Sequence, residues 1–191
     1  MTQDDAPSSK FRYDPIVVSS ESTVVAEYIP DAARRVEHQS EAQLEAEFIK
    51  QLGMQAYEYL TITDSAGLVD NLRAQLERLN KITFSDFEWK KFFTEKIANE
   101  TAGIVDKAAI IQEDHVQLLK RDDGSVKNVY LIDKQDIHNN QLQVINQYEV
   151  AGKRANRYDV TILVNGLPLV HVELKKRGID LREAFNQINR Y

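Results

Sequence analysis

The sequence contains no cysteine, only four prolines and only seven glycines among its 191 residues. Without cysteine the chain forms no disulfide bond and offers no thiolate to a metal ion, which is typical of proteins of the reducing cytoplasm. The sequence also lacks a run of about eighteen apolar residues, and no charged segment is followed by an apolar leader. These absences indicate a cytoplasmic protein without a membrane partner.

Two further absences restrict the chemistry. The phosphate-binding motif G-x-x-x-x-G-K-[ST] does not occur, so we expect no ATP hydrolysis by this chain. No serine lies in a recognisable nucleophile elbow, which disfavours a serine hydrolase. The histidines do not have the spacing of zinc ligands. One of them, His171, shares a strand face with Glu173, so it could line the mouth of the acidic site described in the next paragraph.

The sequence does contain a lone acid, Asp159, followed fourteen residues later by the triplet Glu173-Leu174-Lys175. Side chains alternate across a strand, so Glu173 and Lys175 share one face while Leu174 points to the other. Cleavage of a phosphodiester needs hard oxygen ligands for Mg²⁺ and a cation near the attacking water and the phosphate. Asp159 and Glu173, with the backbone carbonyl of Leu174, supply the ligands, and Lys175 supplies the cation. The pattern predicts a metal-dependent nuclease site.

The two segments that carry these residues are predicted to form a hairpin, because apolar, β-branched runs flank the turn signal Asn165-Gly166. A tight two-residue turn would place Asp159 opposite Val172, on the other side of the sheet from Glu173. The two acids face each other only if the loop holds an odd number of residues or a bulge lies elsewhere. We therefore predict a bulged hairpin rather than a tight type I′ hairpin.

Positive charge is concentrated around this hairpin. Residues 151–191 carry eight Lys or Arg and four Asp or Glu, a balance of +4, so residues 1–150 carry −10 and the whole chain carries −6. Phosphate contacts supply most nonspecific affinity for DNA, so an acidic body with one basic segment should bind DNA weakly by itself. We expect other components to deliver the DNA.

The segment from Tyr158 to Lys175 resembles the amino-terminal nuclease domain of the restriction (motor) subunit of type I restriction endonucleases, within the PD-(D/E)xK superfamily. Gln187 and Tyr191 reproduce the Q-x-x-x-Y element that accompanies such sites. The proline of the superfamily motif is replaced by Tyr158, which removes no ligand. The resemblance covers roughly residues 154–191.

This resemblance implies an α/β fold of the restriction-endonuclease type, with a mixed β-sheet flanked by helices. It implies Mg²⁺ as the cofactor and double-stranded DNA as the substrate, cut after ATP-driven translocation by a motor that is absent from this chain. ATP would then serve the full-length motor subunit only, and the implied partners are methyltransferase and specificity subunits. The resemblance further implies that DNA contacts or support of the site come from Gln187, Tyr191, Lys176 and Arg177.

An earlier helix offers two further acids. Ser40 begins it with a capping box, and at about 100° per residue Glu41 and Glu45 fall on its apolar stripe. Acids aimed at a core need a partner or a metal ion, and the first helix of the resembled family can contribute an acid to the metal site. Glu41 or Glu45 is therefore a candidate metal ligand. The alternative is that both acids only stabilise the amino-terminal dipole of the helix.

The remaining pattern predicts one nuclease domain over residues 16–191, after a flexible amino terminus of residues 1–15. The 42% hydrophobic and 28% charged residues suit a globular protein with one good core. Helices are predicted at residues 40–60, 67–80 and 85–100, with a further one opened by Asp180. Strands are predicted at Ser22–Tyr28, Val116–Lys120, Val126–Ile132 and Gln143–Val150. Because the Q-x-x-x-Y element ends at Tyr191, the chain looks like a fragment of a longer motor subunit.

Two other functions remain open. A motor-independent repair or phage-defence nuclease of the same superfamily would share the site but cut DNA without a motor. A catalytically inactive DNA-docking module would bind no metal ion and would be unaffected by Lys175→Ala. The presence of all three key residues argues against an inactive site.

Overall fold

The structure is a computed structural model that describes residues 40–99, 101–150 and 156–176, together with two earlier strands. The chain divides into two compact units, residues 1–38 and residues 39–191. In the first unit, β1 (Arg12–Val18) and β2 (Val24–Ile29) pair antiparallel. The sequence pattern predicts β2 within two residues but does not predict β1.

The second unit alternates helices with strands, as α/β proteins do. Its helices are α1 (Glu41–Met54), α2 (Ser65–Asn80), α3 (Asp86–Phe92) and α4 (Ile104–Gln112), with a π-helical turn at Phe93–Ile97 and a 3₁₀ turn at Ile137–Asn139. Its strands are β3 (Glu58–Tyr59), β4 (Val116–Lys120), β5 (Val126–Tyr130), β6 (Leu142–Val150), β7 (Asn156–Val164) and β8 (Leu167–Val172). Over the residues that the structure describes, no helix is long and apolar enough to cross a membrane.

The central sheet has the strand order β3-β6-β7-β8. Strand β3 runs parallel to β6, whereas β7 pairs antiparallel with both β6 and β8, so the sheet is mixed. Strands β4 and β5 form a separate antiparallel hairpin. The predicted α/β fold with a mixed sheet is confirmed, and it is consistent with a restriction-endonuclease type of architecture.

Helices cover both faces of this sheet. On one face, Leu52 of α1 is buried against Val144 and Val160. On the other face, Leu68 of α2 packs against a cluster that contains Ile145. Val144 and Ile145 are neighbours on β6 and point to opposite sides of the sheet, because side chains alternate along a strand. The site hairpin, formed by β7 and β8, therefore belongs to a sheet that helices cover on both faces.

Two predicted helices end earlier than their periodicity indicates. Helix α1 has the expected capping box of Ser40 and Gln43, but it ends at Met54 because Ala56 adopts a positive φ of 66°. Helix α3 also has its capping box, and its α-helical part ends at Phe92, beyond which the π-helical turn begins. Helix α4 is not predicted by the sequence pattern.

The buried carboxylate of Glu88 joins α3 to the turn between β4 and β5. It accepts hydrogen bonds from the backbone N–H groups of Ser85 and Asp122, each at 2.9 Å, and it pairs with Nε of Arg121 at 3.1 Å. The hydrogen bond from Ser85 first, and then the hydrogen bond from Asp122 and the positive charge of Arg121, outweigh burial and lower the pKa of Glu88. The carboxylate is therefore ionised and satisfied although it is buried.

Glu88→Gln is expected to lower the free energy of unfolding at pH 7 by about 2–3 kcal/mol, because the amide replaces charge-assisted hydrogen bonds with weaker ones. Since the folded-state pKa is lowered, the stabilisation is present above the ordinary value of 4.5 and is lost as the pH falls through the folded-state pKa. Urea unfolding at pH 7 and at a pH of about 3 measures the difference, with the exposed Glu95→Gln as the control. An equal cost at both pH values would contradict this assignment.

Candidate functional site

The site hairpin turns through Asn165 and Gly166, which have φ angles of 51° and 80°. Val164 pairs directly with Leu167, so the turn holds two residues and has the positive φ values of a type I′ turn. The prediction that the turn would not be tight is therefore wrong. The position also demands glycine for space, because a Cβ on Gly166 would lie 2.6 Å from Cα of Leu72.

The predicted bulge is present, but it follows the turn instead of forming it. Leu163 pairs with Pro168, whereas the preceding residue Ile162 pairs with Val170, so Leu169 is an extra residue in β8. A proline at this position favours the irregularity, because it has no N–H to donate to the ladder. The bulge shifts the register of every residue beyond it by one.

This shift brings the two acids opposite each other. Val160 pairs with Val172, and the same register extended by one residue places Asp159 opposite Glu173. The backbone N–H of Leu174 donates a hydrogen bond of 2.8 Å to Oδ2 of Asp159. A side-chain oxygen of β7 thereby fixes the chain just past the end of β8, at the position of the acid-x-lysine triplet.

The side chain of Glu173 is buried, with only 3% of its surface exposed. Its Oε1 accepts a hydrogen bond of 3.0 Å from Nζ of Lys175, while its Oε2 is buried and has no hydrogen-bond partner among the described residues. Burial raises the pKa of Glu173, and the neighbouring Asp159 raises it further, although Lys175 acts in the opposite direction. The group is a buried carboxylate with one oxygen that lacks a positive partner.

Lys175 stays a cation in this environment. Burial alone lowers the pKa of Lys175, but its hydrogen bond to Glu173 and the negative charges of Glu173, Glu41 and Asp159 together raise the pKa above the ordinary value. The ammonium group therefore acts here as a positive charge and a hydrogen-bond donor. A role for Lys175 in removing a proton from water is therefore disfavoured.

The structure separates the two acids of α1. Glu45 accepts a 2.5 Å hydrogen bond from the side-chain amide of Asn146 and a second hydrogen bond from the amide of Gln147, while Tyr59 donates to Oδ1 of Asn146 at 2.8 Å. Both oxygens of Glu45 therefore anchor α1 to β6. Glu41 instead contributes to the negative charge around Lys175, so of the two predicted metal ligands Glu41 is the better placed.

The donor set fits a small, hard cation. Two facing carboxylates, an unpartnered buried oxygen of Glu173 and the backbone carbonyl of Leu174 offer the oxygen ligands that Mg²⁺ prefers. Across the described ranges, no group of three or more His, Asp or Glu side chains is arranged to hold a metal ion. Two carboxylates suffice for Mg²⁺, which keeps several waters and usually shares its coordination sphere with substrate phosphate.

The other predicted site residues are only partly visible. Lys176 follows the site lysine directly and is exposed. Arg177 and the Q-x-x-x-Y residues Gln187 and Tyr191 lie outside the described residues, as does the helix predicted to open at Asp180. Their roles at the site stay predictions.

Sequence reasoning missed an aromatic contact beside the acids. The rings of Tyr158 and His171 stack with centroids 4.0 Å apart and planes 13° from parallel. Nδ1 of His171 is also 2.9 Å from Oγ1 of Thr161, its partner across the ladder. The available signal was the position of these residues, since Tyr158 precedes Asp159 and His171 lies two residues before Glu173.

Comparison with known proteins identifies the family to which the chain is similar. A family model described as the N terminus of type I restriction enzyme R proteins matches residues 38–191. The chain is 47% identical, over 178 residues, to the endonuclease subunit of type I restriction enzyme EcoprrI of Escherichia coli. It is 41% identical, over 159 residues, to the endonuclease subunits SsaAORF53P of Staphylococcus saprophyticus and SauMSSORF170P of Staphylococcus aureus.

These relatives are longer than the chain. The match to the Escherichia coli subunit covers 93% of this chain and 57% of that relative. Each staphylococcal match covers 81% of this chain and 17% of the relative. The similarity therefore concerns one region of longer polypeptides, and the site hairpin falls within the residues that the family model matches.

Proposed function

The chain belongs to the family of the N-terminal region of type I restriction enzyme R proteins, and on that premise we propose that it is the Mg²⁺-dependent nuclease domain of such a subunit. The single observation that carries the proposal is the bulged hairpin. It places Asp159 opposite Glu173, leaves one buried oxygen of Glu173 without a partner, and sets Lys175 against the other oxygen.

In this proposal Asp159, Glu173 and the carbonyl of Leu174 hold the metal ion. When bound, Mg²⁺ polarises the scissile phosphate and lowers the pKa of a coordinated water. The ladder holds the backbone of β7 against β8, and the hydrogen bond from the N–H of Leu174 holds the side chain of Asp159. Lys175 donates hydrogen bonds and places its positive charge where negative charge develops on the phosphate oxygens.

The proposal extends to the assembly. The net charge of −6 and the basic segment at residues 151–191 favour delivery of double-stranded DNA by other subunits over tight binding by this region alone. Methyltransferase and specificity subunits would recognise the DNA, and a motor region outside this chain would translocate it with ATP. Cleavage follows that translocation in the cytoplasm.

The experiment is a comparison of two matched Glu→Gln variants in the complete R subunit, assembled with its methyltransferase and specificity subunits. Glu173→Gln removes a buried ligand, whereas Glu47→Gln changes a carboxylate of α1 whose side chain is 45% exposed and which contacts Lys50 and Gln51 at the surface. Cleavage of large unmethylated circular DNA and DNA-dependent ATP hydrolysis are measured side by side.

We expect Glu173→Gln to cut at least roughly 100-fold more slowly, because a neutral amide cannot replace an anionic ligand of Mg²⁺. Its ATP hydrolysis should be retained, and Glu47→Gln should match wild type in both activities. Cleavage by Glu173→Gln at the wild-type rate would contradict the proposal. Cleavage by wild type without ATP would replace it with a motor-independent nuclease.

A further inference from the structure

The ring stack of Tyr158 and His171 joins β7, which carries Asp159, to β8, which ends one residue before Glu173. Tyr158 is the residue before Asp159 on β7, and His171 is two residues before Glu173 on β8. The rings are 4.0 Å apart and nearly parallel. The stack is thus a side-chain contact between the same two backbone segments that must keep the carboxylates together.

Tyr158 reaches this position because strict alternation fails in the sheet. Its ring packs in the cluster of Ile145 and Leu163, although alternation from Val160 would place it on the opposite face with Val144. The break coincides with Gln147, whose φ of 53° interrupts β6 at the point that faces Asp159 in the ladder. The irregularity turns the tyrosine toward His171.

His171 is held from a second direction. Its Nδ1 lies 2.9 Å from Oγ1 of Thr161, and Thr161 is only 1% exposed. The imidazole, which stands on the edge strand of the central sheet, is therefore oriented by a buried hydroxyl on one side and by the tyrosine ring on the other. A side chain with two such contacts keeps one rotamer, and it constrains the backbone that leads to Glu173.

We propose that Tyr158 and His171 are positioning residues, whose interstrand ring stack holds Asp159 and Glu173 at the separation that a divalent cation requires. Beyond the Val160–Val172 pair, the N–H of Leu174 donates a hydrogen bond to Asp159, and Glu173 follows the last residue of β8. The ring stack is a further contact between the two segments at this end of the hairpin. The inference rests on the proposed metal site.

The test distinguishes the ring contact from simple packing. His171→Ala removes the stack from an exposed position, and Tyr158→Leu replaces the ring by an apolar side chain. His171→Phe and Tyr158→Phe keep two stacked rings. Val170→Ala, which shortens an exposed apolar residue of the same strand without touching the stack, is the control.

Mn²⁺ is titrated into the 191-residue chain and binding is followed by the loss of the free-ion signal in electron paramagnetic resonance. We expect His171→Ala and Tyr158→Leu to weaken Mn²⁺ binding by about 10-fold, as loss of a contact that orients a ligand does. The two phenylalanine variants should recover most of the wild-type affinity, and Val170→Ala should bind like wild type. Rescue by an apolar ring is the signature of positioning by the stack.

The outcomes separate this inference from the proposal beneath it. Wild-type affinity in His171→Ala, or equal losses in the phenylalanine and the ring-free variants, would overturn the positioning role while the metal site stands. No Mn²⁺ binding by the wild-type chain, or equal binding by Asp159→Asn, would overturn the metal site and the positioning role with it.

Discussion

Asp159→Asn is expected to lower DNA cleavage by the assembled restriction complex by roughly 1,000-fold, because the neutral amide is a poor ligand for a hard dication. The fold should survive the change. The side-chain oxygen of asparagine still accepts the 2.8 Å hydrogen bond that the N–H of Leu174 donates to Asp159 in the wild type. The variant therefore removes the anionic ligand without disrupting the structure of the hairpin.

The measurement is the rate of cleavage of large unmethylated circular DNA with Mg²⁺ and ATP, alongside the rate of ATP hydrolysis. The matched control is Asp70→Asn, which neutralises an exposed acid on α2 and should cut like wild type. ATP hydrolysis should be preserved in both variants. If Asp159→Asn cleaves within about 10-fold of wild type, Asp159 is not a metal ligand that cleavage requires.

Lys175→Met should also lower the rate of cleavage by roughly 100- to 1,000-fold, yet it should leave metal binding intact. In the proposed mechanism the ammonium group stabilises charge that develops on the phosphate, so its loss should raise the barrier to cleavage. In the absence of substrate its positive charge lies 3.0 Å from Oε1 of Glu173, where it repels an incoming cation. Removing it should make Mn²⁺ affinity at neutral pH equal to or greater than that of wild type.

The control for this variant is Lys50→Met, which removes a lysine that is 70% exposed on α1. Cleavage and Mn²⁺ binding are measured for the wild type and for both variants. Loss of Mn²⁺ binding together with cleavage in Lys175→Met would mean that the lysine holds the site together, and normal cleavage would remove it from the mechanism.

Several strands of the second unit were predictable because their signals are local. Val116–Lys120 has the predicted bounds, and β6 begins one residue from its predicted start. The capping boxes of α1 and α3 follow from residue types three positions apart. Alternation and capping depend on neighbours in sequence, so they can be read before any tertiary contact is known.

The register of the site hairpin shows where local reasoning ends. The requirement that Asp159 face Glu173 predicts a bulge, but it does not say where the bulge lies. The structure places the extra residue at Leu169 because Asn165 and Gly166 are the residues that a tight turn prefers. The strong preference of Asn165-Gly166 for a tight turn, which the prediction undervalued, determined the position of the bulge.

The surroundings of the site depend on contacts between distant residues. Glu45 accepts hydrogen bonds from the side-chain amides of Asn146 and Gln147, about a hundred positions away in sequence. The helical pattern alone therefore could not show that Glu45 and Glu41 have different surroundings. The ring stack arises where Gln147 adopts a positive φ, which is unusual for a residue with a side chain. No periodicity in the sequence encodes that conformation.

The most direct test of the proposed metal site is a titration of the wild-type chain and of Asp159→Asn with Mn²⁺, followed by electron paramagnetic resonance. It needs no motor, no partner subunit and no recognition sequence. We predict that the wild-type chain removes the free-ion signal and that Asp159→Asn binds at least roughly 100-fold more weakly. Equal binding by the two proteins, or none by either, would contradict the metal site at Asp159 and Glu173.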